Sequence, residues 1–190
     1  MPMVTFAANG RPCDGYLAPA AKPGPGVVVI QEWWGLVGHI QAVADRFAAA
    51  GFTALAPDLY HGEKTTSPDD AGKLLMALNI AEAGKDLAGA LRYLRALDGV
   101  EPKRTGVVGF CMGGQLALFA AQEHPDLVDA AVDFYGIHPK VTLDAARLRT
   151  PLLGHFAAHD KGVPPAVGRD LRARVVAAGG HMEIHEYDAS

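Results

Sequence analysis

The chain has 190 residues, a formal net charge of −4, 49% hydrophobic and 20% charged residues, which fits a single compact domain over residues 1–190 with room for a sizeable core. The mildly acidic balance gives no electrostatic reason to expect nucleic acid as a partner, and no apolar run approaches the roughly 18 residues a membrane span needs. Met1 to Gly10 lacks a basic stretch followed by an apolar one, so no secretory signal is expected, and two cysteines, Cys13 and Cys111, form no disulfide framework; a reducing cytoplasm is the expected setting.

In chain order, the first clear element is the continuous apolar run from Gly26 to Gln31, expected of a strand buried on both faces. Ile40 to Ala50 reads as a helix stopped by Gly51, and Phe52 to Ala56 as a strand ended by Pro57. Asp58 to Asp70 is polar and turn-rich, hence a surface loop. Asp70 to Leu97 is mostly helical, in two pieces. Thr105 to Phe110 is a strand and Gly113 to Gln122 a helix. Val128 to Phe134 and Pro151 to Phe156 are strands, Pro164 to Ala178 is a helix stopped by Gly179 and Gly180, and Met182 to Tyr187 is the last strand. Strands alternating with helices imply an α/β fold, a mostly parallel sheet with helices on both faces. Its ligand site is expected outside the strand carboxyl ends.

The sharpest motif is Gly109-Phe110-Cys111-Met112-Gly113-Gly114, between an expected strand and an expected helix. It has the pattern of a nucleophile elbow with cysteine in the nucleophile position. A tight strand-to-helix turn strains the central residue, and side chains two positions either way would clash, so glycine is required there. The helix N-terminus is expected to lower the thiol pKa, and the Met112 backbone N–H to meet a developing oxyanion. The plainer alternative is a small buried hydrophobe at a tight turn. Cys13, among Pro12, Asp14 and Gly15 with no elbow around it, reads as structural.

Glu32 follows the first apolar strand and therefore falls on the same edge as Cys111. A carboxylate there can accept the thiol proton or hold the thiol neutral until substrate arrives; the alternative is a solvated loop carboxylate. The Trp33 backbone N–H is the candidate second oxyanion donor, with the Trp33 and Trp34 side chains as readily packing groups. Asp160 follows a later strand on the same edge and suits the acid that orients a histidine, or else a turn or cap residue.

No histidine fits between the thiol and Asp160. His181 precedes the last strand, His185 and His155 lie inside strands, His159 adjoins Asp160, and His39 and His61 are out of order. The expectation is a chain shortened at its C-terminus, with the partner histidine beyond Ser190.

These residues together resemble the dienelactone hydrolase family of the α/β-hydrolase superfamily. The resemblance rests on Gln31-Glu32-Trp33-Trp34-Gly35, Pro57-Asp58-Leu59-Tyr60, the cysteine elbow, Phe134-Tyr135-Gly136, His159-Asp160 and Val163-Pro164. It implies a three-layer α/β-hydrolase fold and a cysteine hydrolase of enol-lactones or small esters, with no metal or organic cofactor. Cys111 would be the nucleophile, Asp160 the triad acid, and Glu32 the group that engages the resting thiol. The family's histidine follows an acidic turn matching Tyr187 to Ser190, and a final helix follows it; both fall past the end of this chain. The arginine the family uses for a substrate carboxylate has no counterpart in Ser67 to Lys73, so a neutral ester or lactone fits as well. Two other readings stand beside the hydrolase: a weakly active or non-catalytic small-molecule binding protein on the same pocket, and, last, a thiol redox sensor, for which only Cys13 is present as a resolving thiol. The sequence leaves the oligomeric state open.

Overall fold

The protein's structure, a computed structural model, describes residues 2–8 and 10–190. Met1 and Asn9, which belong to the stretch read for a signal, lie outside the described residues.

Eight strands form one sheet in the order β1-β2-β4-β3-β5-β6-β7-β8. They are β1 (Met3–Ala8), β2 (Arg11–Ala18), β3 (Gly24–Ile30), β4 (Thr53–Pro57), β5 (Val100–Phe110), β6 (Ala130–Phe134), β7 (Leu152–Ala157) and β8 (Met182–Tyr187). From β4 through β8 every pairing is parallel. The helices are α1 (Gly38–Ala49), α2 (Pro68–Ala77), α3 (Ile80–Ala96), α4 (Met112–Glu123) and α5 (Pro165–Ala177). Each expected strand and helix is present, with ends moved by a few residues.

β1 and β2 are an addition to the sequence reading. They form an antiparallel hairpin, and β2 then pairs antiparallel with β4 through Gly15 to Ala18. Pro12 and Gly15 interrupt the β-branched pattern that marks a strand, and Pro is confined to positions such as this near a sheet edge.

The alternation of side chains along each strand divides the core in two. Val28 and Ile30 of β3, Leu55 of β4 and Val107 of β5 join one cluster with Leu87, Leu91 and Leu94 of α3 and Leu116 of α4. Val27 and Val29, Ala54 and Ala56, and Val108 face the other way, onto Ile40, Val43 and Ala44 of α1. Strands buried on both faces are why these runs read as continuous rather than alternating. Fully burying one of these leucines contributes about 2–3 kcal/mol.

Local chemistry sets the helix ends. Ser67 Oγ accepts from the Asp70 N–H at 3.4 Å ahead of Pro68, and Asn79 Oδ1 accepts from the Ala81 and Glu82 N–H groups at 3.1 and 3.2 Å. These two caps explain why the helical stretch after Pro68 is split. Because the parallel strands all point the same way, Glu32, Cys111, Tyr135 and Asp160 all follow strand carboxyl ends on one edge of the sheet.

On the α1 face, an in-register row of rings continues past the aliphatic cluster. Phe110 stacks on Phe134 at 4.9 Å, Phe134 on His155 at 4.3 Å, and His155 on His185 at 5.6 Å. Burial and the neighbouring His185 hold the His155 imidazole below its ordinary pKa.

Candidate active site

β5 runs directly into α4 with one residue between them, and that residue is Cys111. Its backbone has φ 54° and ψ −120°, in the left-handed half of the map that a side chain makes costly. The strain is held by a dense set of backbone bonds. The Cys111 N–H donates to the Phe134 carbonyl at 3.0 Å, and the Cys111 carbonyl accepts from Gly114 and Ile137 at 3.0 and 3.2 Å. The flanking glycines are steric necessities. A Cβ on Gly109 would run into the Gly113 carbonyl, and one on Gly113 would stand 2.5 Å from the carbonyl oxygens of both Ile30 and Gln31. The close approach that the elbow reading requires is therefore present at both positions.

Cys111 caps α4 without a side-chain cap bond, and the Met112 N–H points at its sulfur. Met112 is itself anchored, its Sδ accepting from the Tyr60 hydroxyl at 3.2 Å. Despite the helix N-terminus, the thiol sits above its ordinary pKa. Burial raises it most, the Met112 N–H pulls it back, and the Glu32 and Asp160 carboxylates raise it further. This corrects the expectation of a lowered pKa: desolvation and two anions outweigh the partial charge of one helix end. The resting group is a neutral thiol.

Glu32 and Asp160 both come within electrostatic reach of Cys111. Asp160 also serves the turn before α5, its Oδ1 accepting from the Gly162 and Val163 N–H groups at 2.7 and 3.0 Å. Its two expected roles, turn former and site carboxylate, are compatible because only Oδ1 is engaged in those bonds. The Trp33 N–H donates to no protein group among the described residues, while the Trp33 and Trp34 rings pack edge to face at 5.0 Å. Gln31 is fully buried, and its Oε1 accepts from the Leu59 N–H at 3.3 Å. That bond ties the loop after β3 to the loop after β4.

Sequence reasoning passed over Tyr135. It follows β6 with φ 43°, its N–H donates to the His155 carbonyl at 2.9 Å, and its hydroxyl faces Glu32, Cys111 and Asp160 together. Burial and these three groups, Glu32 foremost among them, push its phenol up to about 12. The usable signal was its place at a strand carboxyl end, just before Gly136. Beneath the elbow, Asp133 is buried and burial pushes it up to about 7, while the Gly136 N–H bonds its carboxylate and pulls the other way.

None of the histidine hydrogen bonds among the described residues reaches Cys111 or Asp160. His159 pairs with Asp188 at 2.8 Å, His155 with Tyr187 at 2.8 Å, His61 with Asp86 at 3.0 Å and His181 with Glu183 at 3.3 Å. Beside Tyr135 and Asp160 lies a cavity of about 440 Å³, also lined by Phe134, Phe156, Tyr187 and Ser190. Cys13 is buried, donates weakly to the Asp14 and Asp58 carbonyls, and is pushed up to about 12 by burial and nearby carboxylates. It is far from a nucleophile's environment.

The electrostatics give a direct expectation. Glu32→Gln removes one of the anions that raise the thiol, so the pH profile for Cys111 alkylation by iodoacetamide should move to lower pH. At neutral pH the rate should rise severalfold. An unchanged or upward-shifted profile would show that Glu32 does not act on the sulfur.

Known proteins resemble the chain over nearly its whole length. The model of the dienelactone hydrolase family matches residues 13–190. A protein of Aquifex pyrophilus named protein usf is 37% identical over 191 residues, covering 97% of this chain and 83% of its own. The carboxymethylenebutenolidase of Pseudomonas putida is 30% identical over 202 residues, covering 98% and 84%. Among solved structures, a dienelactone hydrolase-like promiscuous phosphotriesterase from metagenomic libraries superposes with a TM-score of 0.84 at 24% identity, covering 98% of this chain and 80% of that one, a likeness of fold.

Proposed function

The chain belongs to the dienelactone hydrolase family, and from that premise we propose that it hydrolyses small esters or lactones through the Cys111 thiol. The observation that carries this reading is the strained Cys111, at φ 54° and ψ −120° on the turn into α4, with Glu32, Tyr135 and Asp160 around it.

The substrate carbonyl oxygen is received by the backbone N–H groups of Met112 and Trp33. Glu32 accepts the Cys111 proton as sulfur bonds to the acyl carbon. Collapse of the tetrahedral intermediate breaks the C–O bond, and the alkoxide or enolate leaves with the proton that Glu32 had taken. Water then attacks the thioester, releasing the acid and restoring the thiol. Removing one oxyanion donor costs about 3 kcal/mol of transition-state stabilisation in enzymes of this kind. Tyr135, facing both carboxylates and the sulfur, orients Glu32 in this scheme. Asp160 orients an imidazole through the oxygen its turn leaves free. Among the described residues no histidine hydrogen-bonds to Asp160 or Cys111, and the scheme calls for an imidazole beside Asp160 and Tyr135 in the 440 Å³ cavity. Without it, the acyl-enzyme forms but turns over slowly, and that missing imidazole is the observation favouring a weakly active or purely binding protein as the second reading. A cytoplasmic setting, with both cysteines as free thiols, belongs to the same proposal.

The test is to trap the acyl-enzyme. Mixing the protein with p-nitrophenyl acetate and quenching in acid should give a single acetyl adduct, located on Cys111 by peptide mass and released by hydroxylamine. An adduct on Cys13, or none under conditions that release p-nitrophenol, would overturn the nucleophile assignment.

A further inference from the structure

Away from the elbow, three elements converge on a second group of reactive side chains. β2 contributes Cys13, the turn after β4 contributes His61, and α3 contributes Asp86; their ligating atoms all lie within 4.8 Å of one another. Cys13 and Asp86 are each 1% exposed. His61 is held at φ 52°, which aims its ring back toward α3 and brings Nε2 to 3.0 Å from Asp86 Oδ2. The second oxygen, Asp86 Oδ1, is buried without a hydrogen-bond partner among the described residues, an arrangement that is costly unless something fills it.

We propose that Cys13, His61 and Asp86 form a binding site for a zinc-type divalent transition-metal ion. One thiolate, one imidazole and one carboxylate are the mixed sulfur, nitrogen and oxygen donors that zinc and cobalt accept. A tetrahedral ion with bonds of about 2.0–2.3 Å separates its ligand atoms by roughly 3.3–3.7 Å. The present 3.0 Å between His61 and Asp86 is already near that value, and the sulfur needs to move by at most about an ångström to reach it. A cavity of about 220 Å³, lined by Arg11, His61, Glu82 and Asp86, adjoins the cluster.

Arg11 is the charge the cluster holds in the metal-free state. Its Nη2 lies 3.1 Å from His61 Nε2, 2.9 Å from Glu82 Oε2 and 3.9 Å from Asp86 Oδ2. It is nearly half exposed at the start of β2, so it can withdraw into solvent with Glu82. The surroundings favour a dication over a guanidinium alone: Asp14 and Asp58 also bear on Cys13. Binding is a ligand exchange without redox change: the ion sheds water, Cys13 loses its S–H proton to solvent, and bonds form to sulfur, nitrogen and oxygen.

The test uses Co²⁺ as probe, on the Cys111→Ser chain so that only one thiol can ligate. Titration should produce a near-ultraviolet thiolate-to-cobalt charge-transfer band and visible bands of a tetrahedral ion, both abolished by excess Zn²⁺. Adding Cys13→Ser should remove the charge-transfer band. Because that buried change can disturb folding, His61→Asn is the second variant. Asparagine tolerates positive φ and lacks the imidazole, so cobalt affinity should fall by at least about tenfold with the melting temperature of the metal-free chain little changed. Absence of a thiolate band with Cys13 intact, its survival in Cys13→Ser, or undiminished affinity in His61→Asn would each overturn the proposal.

Discussion

Cys111→Ala is expected to lower kcat/KM for an activated ester by at least about a thousandfold, with the fold retained. Losing a covalent nucleophile leaves only oxyanion contacts and binding to assist attack by water. The elbow geometry is indifferent to the change: alanine carries the same Cβ at φ 54°, and the bonds from the Cys111 N–H and carbonyl to Phe134, Gly114 and Ile137 are backbone bonds. The melting temperature therefore stays near that of the parent, which separates lost chemistry from lost structure. The measurement is initial-rate hydrolysis of p-nitrophenyl acetate beside thermal unfolding. Turnover within tenfold of the parent would remove Cys111 from the mechanism and leave a pocket that binds without covalent chemistry.

Gly109→Ala should destabilise the protein by about 3 kcal/mol or more, lowering the melting temperature by about 6–12 °C. The added methyl would overlap the Gly113 carbonyl and crowd the Gly114 N–H, both backbone atoms of the turn into α4. Neither can yield without moving the strand end or the helix start. Activity should fall with stability, because the same displacement moves the sulfur and the Met112 N–H. Gly72→Ala gives the contrast. Nothing lies within 4 Å of a Cβ there and the residue is inside α2, so that change should stabilise by about 0.5–1 kcal/mol. If the two substitutions had similar effects, the steric account of the elbow glycines would be wrong.

The parallel core was legible because its strands announce themselves chemically. Val27 to Ile30 follows Gly26, and Val107 to Val108 lies between Gly106 and Gly109; these aliphatic stretches are covered on both faces and carry no polar residue to confuse the pattern. Where a strand is shorter on such residues, legibility fails. The β1–β2 hairpin carries Pro12, Asp14 and Gly15 in its second strand, and a strand at a sheet margin tolerates them. The Asn9-Gly10 pair between the two runs is a strong hairpin signal in sequence, and it was the clue available. At the site, position relative to strand ends identified Glu32, Cys111 and Asp160 as neighbours. Tyr135 escaped because an aromatic residue after a strand more often packs than reacts. The direction of the thiol shift was misjudged for a different reason. A helix terminus is visible in sequence, whereas burial and the approach of two carboxylates depend on the assembled structure.

The strand order also has a kinetic side. The middle of the sheet joins Val28 to Val107 and Ile30 to Gly109, residues separated along the chain by α1, β4, α2 and α3. Closing so long a loop before its contacts can reward it makes assembly slow. During that interval the β3 and β5 edges are bare, including the aliphatic stretches Val27 to Ile30 and Val107 to Val108. Refolding from denaturant should therefore be limited by pairing of these two strands, and recovery should improve with dilution, because the competing event is bimolecular association of exposed edges. The elbow, which needs both strands in place, would be among the last features to form, so the return of hydrolytic activity should lag behind the return of helical signal.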